Sequence, residues 1–175
     1  MAVVMLVVCV LASIDAVASS RVTNRIKAAF IFNFIKFTEW PQDVRLQTIN
    51  VCVRNDAGMY VELQGLKNKR AHGVPLEIIQ IDDESKLSQC QVIYFGEMAE
   101  SHLDRVLSHL AGRSILTIGD HASFIQQGGG IRLFLSNNRL RFEISPVAVN
   151  QSQLVISSKL LSLSRKSAMH GGAGQ

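Results

Sequence analysis

The sequence is poor in most of the residues that mark specialised chemistry. Its 175 residues hold three cysteines, three prolines, two tyrosines and one tryptophan. So few prolines, with only twelve glycines, exclude collagen-like and proline-rich linker architectures. No C-x-x-C occurs, so a thioredoxin-like redox site has no support. No close set of four Cys and His residues offers a structural zinc site. His102 and His109 are seven apart, two turns along one helix face and too far for one metal. The G-x-S-x-G, H-E-x-x-H and G-x-x-x-x-G-K-[ST] patterns are all missing, so no motif proposes a catalytic residue, a metal or a cofactor. Gly128-Gly129-Gly130 lacks the spacing and the lysine of a phosphate loop and reads as a turn. No apolar run approaches the ~20 residues of a membrane span. Neither sign of charge dominates. Lys and Arg number 18 against 14 Asp and Glu, giving +4 and a pI of about 9.2. That balance suits an acidic partner without demanding one.

Hydrophobic residues make up 47%, which rules out wholesale disorder, and the length suits one domain of ordinary size. The first residues stand apart. Val3 to Leu11 is an unbroken apolar run, followed by Ala16-Val17-Ala18 and Ser19-Ser20. A short apolar core before a small-x-small site reads as a secretory signal peptide over residues 1–18. One feature of such a peptide is missing: no Lys or Arg precedes the run. Removing the segment takes away only Asp15 as a charge and leaves 157 residues at +5. Export removes most of the case for nucleic acid, which needs a basic patch in an intracellular protein. It also takes away Cys9 and leaves Cys52 and Cys90. An even count in an oxidising compartment suggests a disulfide, with two separately buried thiols as the alternative.

Patterning along the chain describes a single α/β domain over residues 19–164. Arg25 to Glu39 is apolar almost all round and reads as a helix buried on most sides or meeting a partner, ended by Trp40-Pro41. Strands are expected at Thr48–Arg54, Pro75–Ile81, Cys90–Phe95 and Ser114–Ile118. A short helix should run toward Leu66, and a second helix over Glu100–Leu110. Asp82-Asp83-Glu84 reads as a solvated acidic turn rather than a pair of working carboxylates. Asp120-His121 has the makings of half a catalytic dyad, but no nucleophile stands beside it. Asp120 reads instead as the cap of a short helix over His121–Gln127. Ile131–Leu135 and Arg139–Ile144 form a hairpin around Ser136-Asn137-Asn138, and a final amphipathic helix covers Leu154–Leu163. Residues 165–175 read as a disordered tail. Strands alternating with helices make a mixed sheet covered by helices, closed by a C-terminal hairpin and helix.

Two stretches carry recognition chemistry. Along the hairpin's second strand, Leu140, Phe142 and Ile144 take the core face while Arg139, Arg141 and Glu143 take the other. That charged face is either a solvated sheet surface or a polar patch in which Glu143 sits between arginines that bind an anion. The aromatic segment from Phe30 to Trp40 is either core or a contact surface, with Phe32 and Trp40 its candidate residues.

Several segments together resemble the YfiR/HmsC-like family of periplasmic regulatory proteins. They are Lys27-Ala28-Ala29-Phe30-Ile31-Phe32-Asn33-Phe34, Phe37-Thr38-Glu39-Trp40-Pro41 and Cys90-Gln91-Val92-Ile93-Tyr94-Phe95. Leu116-Thr117-Ile118-Gly119-Asp120, Gly128-Gly129-Gly130-Ile131 and Arg141-Phe142-Glu143-Ile144-Ser145 complete the set. The resemblance implies a periplasmic α/β protein of a Gram-negative bacterium, often dimeric and not an enzyme. It implies a repressor that binds the periplasmic domain of an inner-membrane diguanylate cyclase, so that release raises cyclic di-GMP and promotes biofilm. It implies that Cys52 and Cys90 pair. Some members carry a second cysteine pair near the glycine turn, whereas Ile125 to Leu133 here has none, which implies a purely structural bond. The family's Phe-Glu-Ile-Asn stands here as Phe142-Glu143-Ile144-Ser145, which moves Glu143 toward a binding role. The other reading is a periplasmic binder of a cell-wall fragment or small anionic ligand, or a cryptic enzyme, using Arg139, Arg141 and Glu143.

Overall fold

The structure, a computed structural model, describes residues 21–171, the last seven by their backbone alone. The expected leader over residues 1–18 and residues 172–175 of the expected tail lie outside the described residues.

The chain opens with helix α1, helical over residues 21–36. Ala28, Ile31, Phe34 and Ile35 recur at helical spacing and are buried. The helix stops before the expected Glu39, and Trp40-Pro41 is not what ends it. The Thr38 hydroxyl donates to the Phe34 carbonyl at 2.8 Å. Thr38–Glu39 then become strand β1, paired antiparallel with β9 (Val155–Ile156). A tertiary partner near the other end of the domain, invisible to local pattern, decides that boundary.

Next come β2 (Ile49–Arg54), α2 (Ala57–Leu63), β3 (Arg70–Ala71) and β4 (Val74–Gln80). A 3₁₀ turn, Glu84–Gln89, is capped by the Asp83 carboxylate, so the acidic stretch starts an element rather than merely turning the chain. Then follow β5 (Val92–Phe95), α3 (Glu100–Leu110), β6 (Leu116–Gly119), β7 (Ile131–Ser136) and β8 (Arg139–Ile144). Helix α4 (Pro146–Gln151) was not foreseen. Ser145 accepts from the Ala148 N–H and Pro146 opens the first turn, a start signal that was there to read. The closing helix α5 (Ser158–Gly171) begins after β9 rather than at the expected Leu154, and it runs through residues 165–171 that were expected in a disordered tail.

Seven strands form one sheet in the order β3-β4-β2-β5-β6-β7-β8. The inner pairings from β4 to β7 are parallel, and β3 and β8 add antiparallel edges. The sheet is therefore mixed, as the closing hairpin required. Parallel strands need both faces covered. On one face α1, α2 and α5 pack over Val51, Val53, Tyr94, Leu116, Ile118, Leu133 and Phe142. On the other, α3 and Phe124 cover Cys52, Ile93 and Phe95. Cys52 and Cys90 are joined there, with Cα atoms 5.9 Å apart. The bond ties β2 to the entry of β5. Nearby, buried Arg54 reaches Glu84 at 3.3 Å, and Glu84 also meets His102 at 2.7 Å. The His102 hydrogen bond holds the Glu84 carboxyl below its ordinary range.

Residues 122–128 form turns, where a helix was expected over 121–127. The glycines explain the tight path. Gly128 turns at φ +91°, and a Cβ on Gly129 would run into the Phe124 ring. Among the described residues no helix is long and apolar enough to cross a membrane.

Candidate functional site

Strand β8 alternates as its sequence demands. Phe142 enters the core, its ring 5.0 Å from that of Phe34 and 5.8 Å from that of Phe30. Arg139, Arg141 and Glu143 point the other way. The turn is tighter than expected. Asn137 and Asn138 both take positive φ, 51° and 56°, and Ser136 pairs directly with Arg139. Two αL residues make the two-residue turn that matches strand twist.

That register sets Arg132 opposite Glu143 and Phe134 opposite Arg141. The partner of Glu143 is thus Arg132, with Nη1 2.8 Å from Oε1. The expected clasp by Arg139 and Arg141 is corrected. Residues i and i+2 on one strand lie side by side along it, whereas a directly opposed residue lies about 5 Å away. Among the described residues neither Arg139 nor Arg141 makes an ion pair with Glu143. The Arg132 guanidinium also lies 5.0 Å from the Phe134 ring centroid. Arg132 and Phe134 were missed, although folding the sequence about Asn137-Asn138 would have found both.

The ion pair is partly exposed, 22% for Arg132 and 33% for Glu143. The Nε atoms of both Arg132 and Arg141 are buried and have no hydrogen-bond partner. Buried N–H groups are nearly always paired. The face itself offers an aromatic ring, a held carboxylate and a partly exposed guanidinium within one hairpin. It can accept a hydrogen bond at Glu143 and donate from either arginine.

Phe32 and Trp40 belong elsewhere. Both pack against the core cluster under α1, on the opposite face of the sheet. Lys36 and Lys69 stand 5.7 and 5.5 Å from the Phe32 ring. The Trp40 indole donates to the Ser114 carbonyl at 3.1 Å and meets His72 edge-on. Neither residue joins the hairpin face.

Asp120 caps nothing. Its Oδ2 accepts from Lys27 at 2.7 Å and from the Tyr94 hydroxyl at 3.0 Å. Lys27 Nζ also stands 3.3 Å from the Tyr94 oxygen. Tyr94 is fully buried, and burial pushes its phenol above the ordinary range, so the group stays a neutral donor. Among the described residues no three His, Cys, Asp or Glu side chains gather as a metal site would need.

A family model for YfiR/HmsC-like proteins matches residues 24–165. The chain belongs to the YfiR/HmsC-like family. The match takes in both the hairpin face and the Lys27–Tyr94–Asp120 group, and covers every element from α1 into α5. The YfiR/HmsC-like character expected from α1, β5, β6 and β8 is thereby established for the domain as a whole.

Proposed function

We propose that this protein is a non-enzymatic periplasmic regulator that binds and represses an inner-membrane diguanylate cyclase, with the β7–β8 hairpin face as its contact. Family membership supports a regulator of cyclic di-GMP signalling. The observation that carries the choice of surface is the partly exposed Arg132–Glu143 ion pair, which sets a guanidinium and a carboxylate side by side on the hairpin. Both members of this half-open pair remain within reach of a partner's polar groups, which can add charge-assisted hydrogen bonds to them. An acidic or carbonyl-rich segment suits the arginines, and a donor suits Glu143.

The mechanism is a shift of population. A repressor acts only to the extent that it binds the inactive cyclase better than the active one. The first 18 residues act as the export signal on this reading, and the Cys52–Cys90 bond is structural. The arginines of this face favour a second reading, a small anionic ligand or cell-wall fragment bound there, which could control the repressor.

Pull-down with the periplasmic domain of a cyclase encoded beside this gene tests the first reading. Retention by the wild type, in oxidised or reduced form, is expected. No retention in either state overturns it. A thermal-shift screen with anionic metabolites tests the second. A specific shift abolished by Glu143→Ala favours it.

A further inference from the structure

The winding of the sheet reverses between β2 and β5. From β2 the chain passes through α2 to β4 on one side, and from β5 it passes through α3 to β6 on the other. Loops leaving two such neighbours diverge, and the crevice at their carboxyl ends is the usual ligand position in an open α/β sheet. Here it is a cavity of ≈ 550 Å³. Asn55, Asp56 and Ala57 line it from the end of β2, Glu97 from β5, and Asp120 and His121 from β6. Gly96 lets the loops meet. A Cβ there would stand 2.5 Å from the Asn55 carbonyl oxygen.

The cleft is built, not merely acidic. Asp120 is held from below by the fully buried Tyr94 and by Lys27, whose side chain is only 13% exposed. Three separate elements, α1, β5 and the end of β6, therefore fix one carboxylate at the edge of the cavity. Both bonds fall on Oδ2, which leaves Oδ1 as an acceptor. Asp56 uses Oδ1 to cap α2 through the Met59 N–H and keeps Oδ2. Glu97 is exposed and has no ion pair among the described residues. The His121 Nε2 accepts from the Met98 N–H at 3.2 Å, so the neutral ring carries its proton on Nδ1 and can donate.

Three carboxylates against the one Lys27 ammonium leave the cleft negative in a chain of net charge +4. The acceptors are too dispersed for a metal ion. They instead surround a space of molecular size, with an amide and an imidazole for hydroxyl or amine groups. We propose that this carboxyl-end cleft binds a small solute bearing more than one amine, its ammonium groups shared out among Asp56, Glu97 and Asp120 above the Lys27–Tyr94 pair. This site lies on another part of the sheet from the hairpin face and does not depend on the regulator reading.

Titration calorimetry at low ionic strength, paired with amide NMR shifts, tests it with 1,4-diaminobutane as probe. Butane-1,4-diol and calcium chloride serve as controls. Saturable binding of the diamine is expected, with shifts gathered at residues 55–57, 96–98 and 119–122. Glu97→Gln, on an exposed loop where folding is not at stake, should weaken it roughly tenfold through the loss of one charge-assisted contact. Absence of saturable diamine binding overturns the proposal. So does an equal response to the diol or to calcium, or unchanged affinity in folded Glu97→Gln.

Discussion

The hairpin face and the carboxyl-end cleft are both polar, but they are put together in opposite ways. The hairpin face draws its charges from residues eleven or fewer apart, on two adjacent strands, and leaves its ion pair partly open to solvent. The Lys27–Tyr94–Asp120 group draws on residues up to 93 positions apart and meets its buried polar atoms internally. A network satisfied within the molecule contributes to its own fold, because removing one member strands the others. A partly exposed ion pair contributes little to folding and stays within reach of a partner. Substitutions under the cleft should therefore cost stability, and substitutions on the hairpin should cost binding.

The largest effect concerns the frame around the cleft. Cys52–Cys90 closes a loop spanning 38 residues between β2 and β5, the two strands that flank it. On the chain-entropy model, reduction should lower stability by ~4 kcal/mol. Urea unfolding of oxidised and reduced protein checks this. Thiol titration of the unfolded, unreduced protein should find no free thiol among these two cysteines. Two titrating thiols would remove the bond from the account.

Lys27→Met comes next. It leaves Asp120 and Tyr94 without their cation and should cost ~2 kcal/mol, less than a fully buried pair because Asp120 is one-third exposed. Partner binding should not change. A loss of binding with stability intact would reverse the roles of the two regions.

Glu143→Ala should cost at most ~1 kcal/mol, since its ion pair is partly open to solvent. Chemical denaturation measures that loss. Wholesale unfolding would instead mark Glu143 as a structural charge.

The smallest effect is a dependence on pH. Burial raises the Tyr94 phenol above its usual value of about 10. The unfolded phenol then ionises first. Its contribution to stability is complete below pH ~10 and is lost as pH rises beyond it. Tyr94→Phe should flatten that alkaline slope relative to wild type, as thermal melts across the range would show. Parallel slopes in the two proteins would place the phenol in water.

The difference between the regions also explains what could be read beforehand. The strands, α3 and the hairpin follow from apolar alternation and spacing, which are local. The outward set Arg139, Arg141 and Glu143 was legible because a period of two is visible along one strand. Arg132 required the register as well, and that depended on recognising Asn137-Asn138 as a two-residue turn. Asp120 was misread because its partners come from α1 and β5, which only the sheet order brings beside it. The end of α1 was misplaced for the same reason, since β9 is what draws Thr38–Glu39 into a strand. Phe32 and Trp40 stood out as aromatics, yet composition could not say that they face away from the hairpin.

The division of labour is tested most directly by the dissociation constant of the periplasmic domain of the neighbouring cyclase for wild type, Glu143→Ala and Lys27→Met. The account predicts at least a tenfold weakening for Glu143→Ala, about 1.4 kcal/mol, and unchanged affinity for folded Lys27→Met. Wild-type affinity in a folded Glu143→Ala protein would contradict it.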